Sequence, residues 1–122
     1  MRDPARLDVW QQAIRLSRMI YEATGSYPNS EKYGLTSQSR RAAVSIAAKI
    51  AEGYGRGSQR EFARFLKIAA GSAAELKTLL VLATELGITD YESVSRSSDQ
   101  LDRVGRMTTS LVHTIESRLA AG

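Results

Sequence analysis

Apolar residues recur at intervals of three and four along four separate stretches of this chain, the spacing that gathers them on one side of a helix. The first stretch covers residues 7–23. Trp10, Ala13 or Ile14, Ser17, Ile20 or Tyr21, and Thr24 share a face, and Gly25 with Tyr27-Pro28-Asn29 stops it. Residues 30–33 suggest one helical turn before Gly34. The second stretch, 35–53, has Thr36 or Ser37 as its expected N-cap and carries Leu35, Ser39, Ala42, Ile46, Ile50 and Gly53 on one side. Its other side is not polar: Val44, Ala47, Ala48 and Ala51 lie there, with Ala43 beside them. A bundle covers one side of each helix, so the spare apolar side predicts a further surface against it, most simply another copy of the chain. The competing reading is that these alanines favour the helix and tolerate water.

The run at 53–57, Gly-Tyr-Gly-Arg-Gly, breaks the pattern, and Ser58 with Glu61 predicts a capping box that opens a third helix. There Phe62, Leu66, Ala69, Ala73, Leu76, Leu80 and Ala83 step by four and three, the seam of helices packed nearly parallel or antiparallel. The helix should end near Leu86, with Gly87 just past its end. Thr89-Asp90-Tyr91-Glu92 predicts a second capping box. Val94, Ser97, Leu101, Val104, Thr108, Leu111 and Ile115 follow, widened by Met107, Val112 and Leu119, and residues 120–122 should fray. Four amphipathic helices with short connections and no strand-like alternation predict an all-α fold, an up-and-down four-helix bundle forming one domain over residues 1–122.

A chain of 122 residues can bury a core without disulfides or a metal. The absence of cysteine excludes a disulfide scaffold, a thiolate-bound zinc and a thiol nucleophile. His113 is the single histidine, and Ser110 stands three residues before it, so the Glu-x-x-His pairs of di-iron bundles are missing. His113 lies beside the apolar stripe of the last helix and is read as structural. No cofactor or metal is expected. No run approaches the roughly 18 apolar residues that cross a bilayer, and no signal-peptide core is visible, so the expected compartment is the cytoplasm without membrane attachment.

The formal charge is +4, from 17 basic and 13 acidic residues. Its distribution matters more than its size: Arg40, Arg41, Lys49, Arg56 and Arg60 face only Glu52 between residues 36 and 60, whereas the other segments nearly cancel. Arg60, Arg64 and Lys67 extend the basic region along the third helix, opposite its apolar seam. A basic stripe suits a polyanion, because phosphate contacts dominate nucleic-acid affinity. The bland alternative is an ordinary solvated face.

Gly53-x-Gly55-x-Gly57 is a weak phosphate-loop signal, because it follows a helix and lacks the Lys-Ser/Thr ending. Arg56, Gly57 and Ser58 remain an anion-binding candidate through the free amides of the third helix. Glu52, the one acid of the second helix, is expected either to pair with a nearby arginine or to cap an interaction in the turn. Among Trp10, Tyr21, Tyr27, Tyr33 and Tyr54, Trp10 reads as core and Tyr54 as the best exposed candidate for stacking on a base.

These residues have a familiar order. It runs through Leu7-x-x-Trp10-x-x-Ala13, Tyr27-Pro28-x-x-Glu31-x-Tyr33-Gly34-Leu35-x-x-Gln38, Arg40-Arg41-Ala42-x-x-Ser45-Ile46 and Ile50-Ala51-Glu52-Gly53-x-Gly55-Arg56. It closes with Glu61-Phe62-x-x-Phe65-Leu66-x-x-Ala69-x-Gly71-Ser72-x-x-Glu75-Leu76. Over residues 7–88 the chain resembles the family of four-helix bundle proteins encoded in intervening sequences of bacterial 23S ribosomal RNA genes. The resemblance implies a homopentamer. It also implies kinship with the accessory variability determinant of diversity-generating retroelements, a basic pentameric barrel that binds nucleic acid and a reverse transcriptase. It carries over Arg40, Arg41, Ser45, Glu52, Gly53, Arg56, Gly71, Ser72 and Glu75, and establishes no activity, because the family's role is poorly defined. Ala47 and Lys49 depart from the family's usual proline and asparagine, which predicts a straighter, more basic second helix.

Three functions follow as expectations. The first is a non-enzymatic homo-oligomeric bundle that binds RNA or DNA through Arg40, Arg41, Lys49, Arg56, Arg60, Arg64 and Lys67, with no base-reading element. Arg40 and Arg41 are adjacent on one helix, so at most one should share a face with Lys67. The second is an adaptor for a protein partner, its basic residues engaged in internal salt bridges. The third is an anion or small-ligand binder at residues 53–58.

Overall fold

Asp3 caps a short 3-10 turn, Pro4–Arg6, and the chain then enters its first long helix in the computed structural model, which describes residues 2–122. Helix α1 is Asp8–Thr24, and a second 3-10 turn, Asn29–Glu31, separates it from α2, Leu35–Gly55. Helices α3, Gln59–Glu85, and α4, Tyr91–Ala121, complete the fold, with no strand among the described residues. Consecutive helices pack side by side and α4 closes back on α1; the diagonal pairs make no close backbone contact. This is the up-and-down four-helix bundle that the periodicity predicts.

Local chemistry sets the boundaries, in places differently from the simplest reading of the sequence. Helix α2 starts without a side-chain cap from Thr36 or Ser37, both of which lie inside it. Instead the carboxylate of Glu31 accepts the Leu35 amide at 3.0 Å, bringing a negative charge to the positive end of the helix. A Cβ at Gly34 would lie 2.7 Å from that carboxylate oxygen, which favours glycine there. At the start of α3, the Ser58 hydroxyl accepts the Glu61 amide at 3.0 Å. The box is only half formed, because the Glu61 carboxylate turns to Arg64. Gly87 (φ 71°) ends α3 as expected: its amide reaches Thr84 O, and that of Ile88 reaches Ala83 O at 2.9 Å. Helix α4 runs to Ala121, two residues beyond the expected end, and its cap is Asp90 rather than Thr89.

Asp90 accepts the Ser93 amide at 2.8 Å, and that backbone hydrogen bond holds its carboxyl below the usual aspartate range. The contribution of the ionised cap is therefore present above the unfolded-state value and is lost as pH falls through the lowered folded value. Asp90→Ala should lower the melting temperature at neutral pH, and Asp90→Asn should retain most of the cap. The gap between wild type and Asp90→Asn should close on acidification, as followed by circular dichroism melts; a gap independent of pH would contradict the ionised cap.

The core runs the length of the bundle through Leu16 and Ile20 of α1, Ile46 and Ile50 of α2, Leu66, Leu76 and Leu80 of α3, and Val104 of α4. Trp10 packs half-buried against it, in keeping with a core role. Polar straps cross between helices. The Gln100 side-chain amide donates to Gln12 O and Oε1, both at 2.9 Å, joining α4 to α1. Ser17 donates to Ala43 O at 3.1 Å, and the hydroxyls of Ser45 and Ser72 meet at 3.0 Å. The hydroxyls of Tyr27 and Ser39 are buried without a partner, and burial pushes the Tyr27 phenol above its usual range.

The spare side of α2 is narrower than the sequence suggests. Ala43 and Ala47 are buried in the chain's own core, because α1 and α3 flank α2 and together cover more than one stripe of it. Ala47 therefore leaves the candidate interface. Val44 is 46% exposed, Ala48 is exposed and Ala51 half-buried. The Ser45–Ser72 contact sets the α2–α3 register, and at that level Val44 and Ala48 have exposed Ile68 and Gly71 on the neighbouring helix.

Candidate nucleic-acid interface

The end of α2 and the start of α3 are brought together at Gly53, whose Cα lies against Phe65. Phe65 is 3% exposed yet stands apart from the main core. Three cations cover its ring: Arg64 at 4.6 Å, Arg56 at 5.0 Å and Lys49 at 6.0 Å from the centroid. Aromatic faces attract cations, and the apolar stems of these side chains keep water from the ring. Two acids join them. Glu52 pairs with Lys49 at 3.3 Å and Arg56 at 3.4 Å, as expected of the one acid in α2. Glu61 takes two hydrogen bonds from Arg64, at 2.8 and 3.1 Å, which hold its carboxyl below the usual range and the guanidinium above its own.

The remaining cations of the expected stripe diverge. Lys67 pairs with Glu116 near the end of α4, and exposed Arg60 lines a shallow hollow with Glu116, Leu119 and Ala120. Arg41 is exposed, but it lies 15 residues before Arg56 on one helix, about 22 Å away, too far to share a small ligand. Arg40 is structural. Its Nε donates to Thr24 Oγ1 at 2.9 Å, its Nη2 to Tyr21 O at 3.2 Å, and its guanidinium lies 4.5 Å from the Tyr21 ring centroid. It ties the start of α2 to the end of α1. The seven candidate cations thus divide into Lys49, Arg56 and Arg64 around Phe65, Arg60 and Lys67 towards α4, Arg41 apart, and Arg40 between α1 and α2.

The anion-binding candidate fares differently from its sequence reading. Gly57 (φ 80°) makes the turn, Arg56 leans back over Phe65 and Glu52, and the Ser58 hydroxyl is occupied as the cap. Glu61, ionised in the first turn of α3, opposes a second negative charge there. Tyr54 is not the exposed stacking residue expected. It packs half-buried against Phe62 with ring centroids 5.4 Å apart, and Arg2 lies over it at 4.2 Å. Tyr33, 87% exposed, is the more open ring, and Tyr27 is buried. His113, beside the apolar stripe of α4, is exposed.

One charged surface was missed. Arg15 and Arg18 of α1 and Arg96 of α4 line a hollow of about 470 Å³ between the two helices, and Arg96, Arg103 and Arg106 line an adjoining one of about 420 Å³. All five are exposed. Charge counted by segment hides them, since α1 and α4 each carry as many acids as bases. The seven-residue spacing of Arg96 and Arg103, with Arg15 and Arg18 three apart, was the available signal.

The sequence profile of the family described as 23S rRNA-intervening sequence protein matches residues 5–110. No curated protein matches the chain. Among solved structures, a protein of unknown function from the S23 ribosomal protein family of Bacteroides thetaiotaomicron superposes with a TM-score of 0.76 at 20% identity, covering 85% of this chain and 97% of that one. That likeness shows the shared fold.

Proposed function

This chain belongs to the family of 23S rRNA-intervening sequence proteins, and from that premise we propose that it is a non-catalytic bundle that assembles with copies of itself and binds nucleic acid through the sugar–phosphate backbone. The observation that carries this reading is the gathering of Lys49, Arg56 and Arg64 over Phe65 at the α2–α3 connection, with Arg60 and Lys67 exposed beside them towards α4. Their partners Glu52, Glu61 and Glu116 do not oppose it strongly. These are exposed pairs, worth little in water, and a phosphate can replace a carboxylate at an arginine fork. Assembly would repeat the surface around a symmetry axis and multiply its charge. Val44, Ala48 and Ile68 supply an exposed apolar face for such packing.

Fluorescence anisotropy against labelled RNA and DNA should show binding whose log affinity falls linearly with log salt, with a slope of about 0.9 for each phosphate neutralised. Light scattering after size exclusion should return several times the 13.4 kDa subunit mass, and Val44→Asp should reduce it. Absence of binding even at low salt would sink the nucleic-acid reading, and the subunit mass alone would sink the assembly. The internal pairing of four of the five cations favours a second reading, an adaptor for a protein partner, which predicts assembly without polyanion affinity.

A further inference from the structure

Arg15 and Arg18 of α1, with Arg96, Arg103 and Arg106 on the adjoining face of α4, differ from the α2–α3 cluster in one respect: they are hardly compensated. Among the described residues, Arg15, Arg96, Arg103 and Arg106 form no ion pair, and Arg18 reaches Glu22 only at 3.7 Å, with both side chains largely in water. Glu22 and Asp99 are the acids among the lining residues, leaving an excess of three positive charges. Asp102 pairs with Lys77 at 3.6 Å on the α3–α4 side of the bundle, where Arg106 lines the same hollow. Each guanidinium therefore keeps donors free for an external acceptor.

The surface is also firmly built. The double hydrogen bond from Gln100 to Gln12 fixes α4 against α1 in the antiparallel register that sets Arg15 and Arg18 across from Arg96. Along α4, Arg96 to Arg106 spans ten residues, about 15 Å. At about 3.4 Å per nucleotide along one strand, that row covers about four phosphates. All the cations are arginines, whose planar fork grips two oxygens of a phosphate at once. No aromatic side chain lines either hollow. Single-strand binders stack unpaired bases on aromatic rings, and peptide-binding grooves anchor large apolar side chains; neither kind of platform is present.

We propose that the α1–α4 arginine groove is a second contact surface, on the edge of the bundle opposite the α2–α3 cluster, that receives the phosphate backbone of a nucleic-acid duplex. The inference rests on the reading of this protein as a nucleic-acid binder, but on different residues. Two surfaces on opposite edges of one subunit would let it bridge two duplex segments.

The test compares two double variants with wild type, Arg96→Ala with Arg103→Ala in the groove and Arg56→Ala with Arg64→Ala at the other edge. Short RNA and DNA duplexes, the corresponding single strands and polyglutamate serve as probes in anisotropy titrations over a series of salt concentrations. All four substituted side chains are exposed, and thermal melts check that both variants fold. The groove variant should weaken duplex binding about tenfold or more and reduce the salt slope by about two phosphates. Arg96→Lys with Arg103→Lys should recover only part of the loss, because charge is kept and the fork is not. Unchanged duplex affinity in a folded groove variant, while the other variant weakens it, would overturn the groove and leave the α2–α3 reading intact. The reverse pattern would support the groove and move the function away from α2–α3. Tighter binding of single strands than of duplexes, or polyglutamate displacing a duplex at equal charge concentration, would overturn the duplex assignment.

Discussion

Gly53→Ala is expected to destabilise the protein by about 2 kcal/mol and lower its melting temperature by roughly 8 °C. In an isolated helix the same change would stabilise by about 1 kcal/mol, because alanine loses less backbone freedom than glycine. Here the added Cβ would lie 2.4 Å from the Phe65 Cβ, 3.1 Å from its Cγ and 3.4 Å from Phe62 Cδ1. The nearest atom is a Cβ, fixed to the backbone of α3, so no change of rotamer relieves the clash. The two helices must part where Phe62, Phe65 and Ile50 are buried, and overpacking of this kind costs about 1–3 kcal/mol beyond the helical gain it cancels. Gly71→Ala is the internal control. A Cβ there meets nothing within 4 Å, so that variant should melt a few degrees higher, by about 0.5–1 kcal/mol. Scanning calorimetry of both variants decides the matter: a Gly53→Ala protein as stable as wild type would mean that the helices do not approach this closely. Should copies of the chain pack over Gly71, its alanine variant would gain stability as a subunit while losing mass in light scattering.

Arg40→Ala is expected to cost about 2 kcal/mol of stability while leaving nucleic-acid affinity unchanged under conditions where the variant is folded. The side chain donates to Thr24 and to the Tyr21 carbonyl and covers the Tyr21 ring. Hydrogen bonds from a charged donor contribute about 1.5–3 kcal/mol, and their removal leaves Thr24, 2% exposed, with its hydroxyl partly unpaired. Arg40→Lys should lose most of the same stability, since an ammonium cannot span both acceptors and the ring. Exposed Arg60, three residues into the α3 side of the turn, is the opposite case: Arg60→Ala should melt within error of wild type and weaken nucleic-acid binding. Denaturant titration with anisotropy on the same preparations separates the two effects. A loss of affinity in Arg40→Ala with no loss of stability would return Arg40 to the binding surface.

The contrast between Arg40 and Arg60 shows where sequence reading stops. In sequence the two are equivalent members of one basic run, and nothing local tells a guanidinium aimed at α1 from one aimed at water. The same limit applies to Tyr54, whose glycine-rich surroundings suggest exposure but whose ring is covered by Phe62 and Arg2. Ala47 too lies on the side of α2 away from Ile46, yet is 5% exposed because two neighbouring helices flank it. What was legible was equally specific. Ser58 caps α3 and Gly87 ends it in the left-handed conformation, because both signals act within one turn of the chain. Glu52 meets Arg56 because residues four apart on a helix are neighbours wherever the helix lies.

The sequence by itself determined four amphipathic helices, most of their ends, and the family to which the chain belongs, since periodicity, capping and short-range pairing depend only on residues within a few positions of one another. The tertiary structure alone decided which charges share a surface. Arg15 and Arg96 are separated by 81 positions and belong to segments whose charges cancel in a linear count, yet they line one hollow. The reason is geometric: a helix sorts its side chains by angle around its axis, so opposite charges that balance along the chain are parted onto different faces. Only the packing of α1 against α4 determines which of those faces meet.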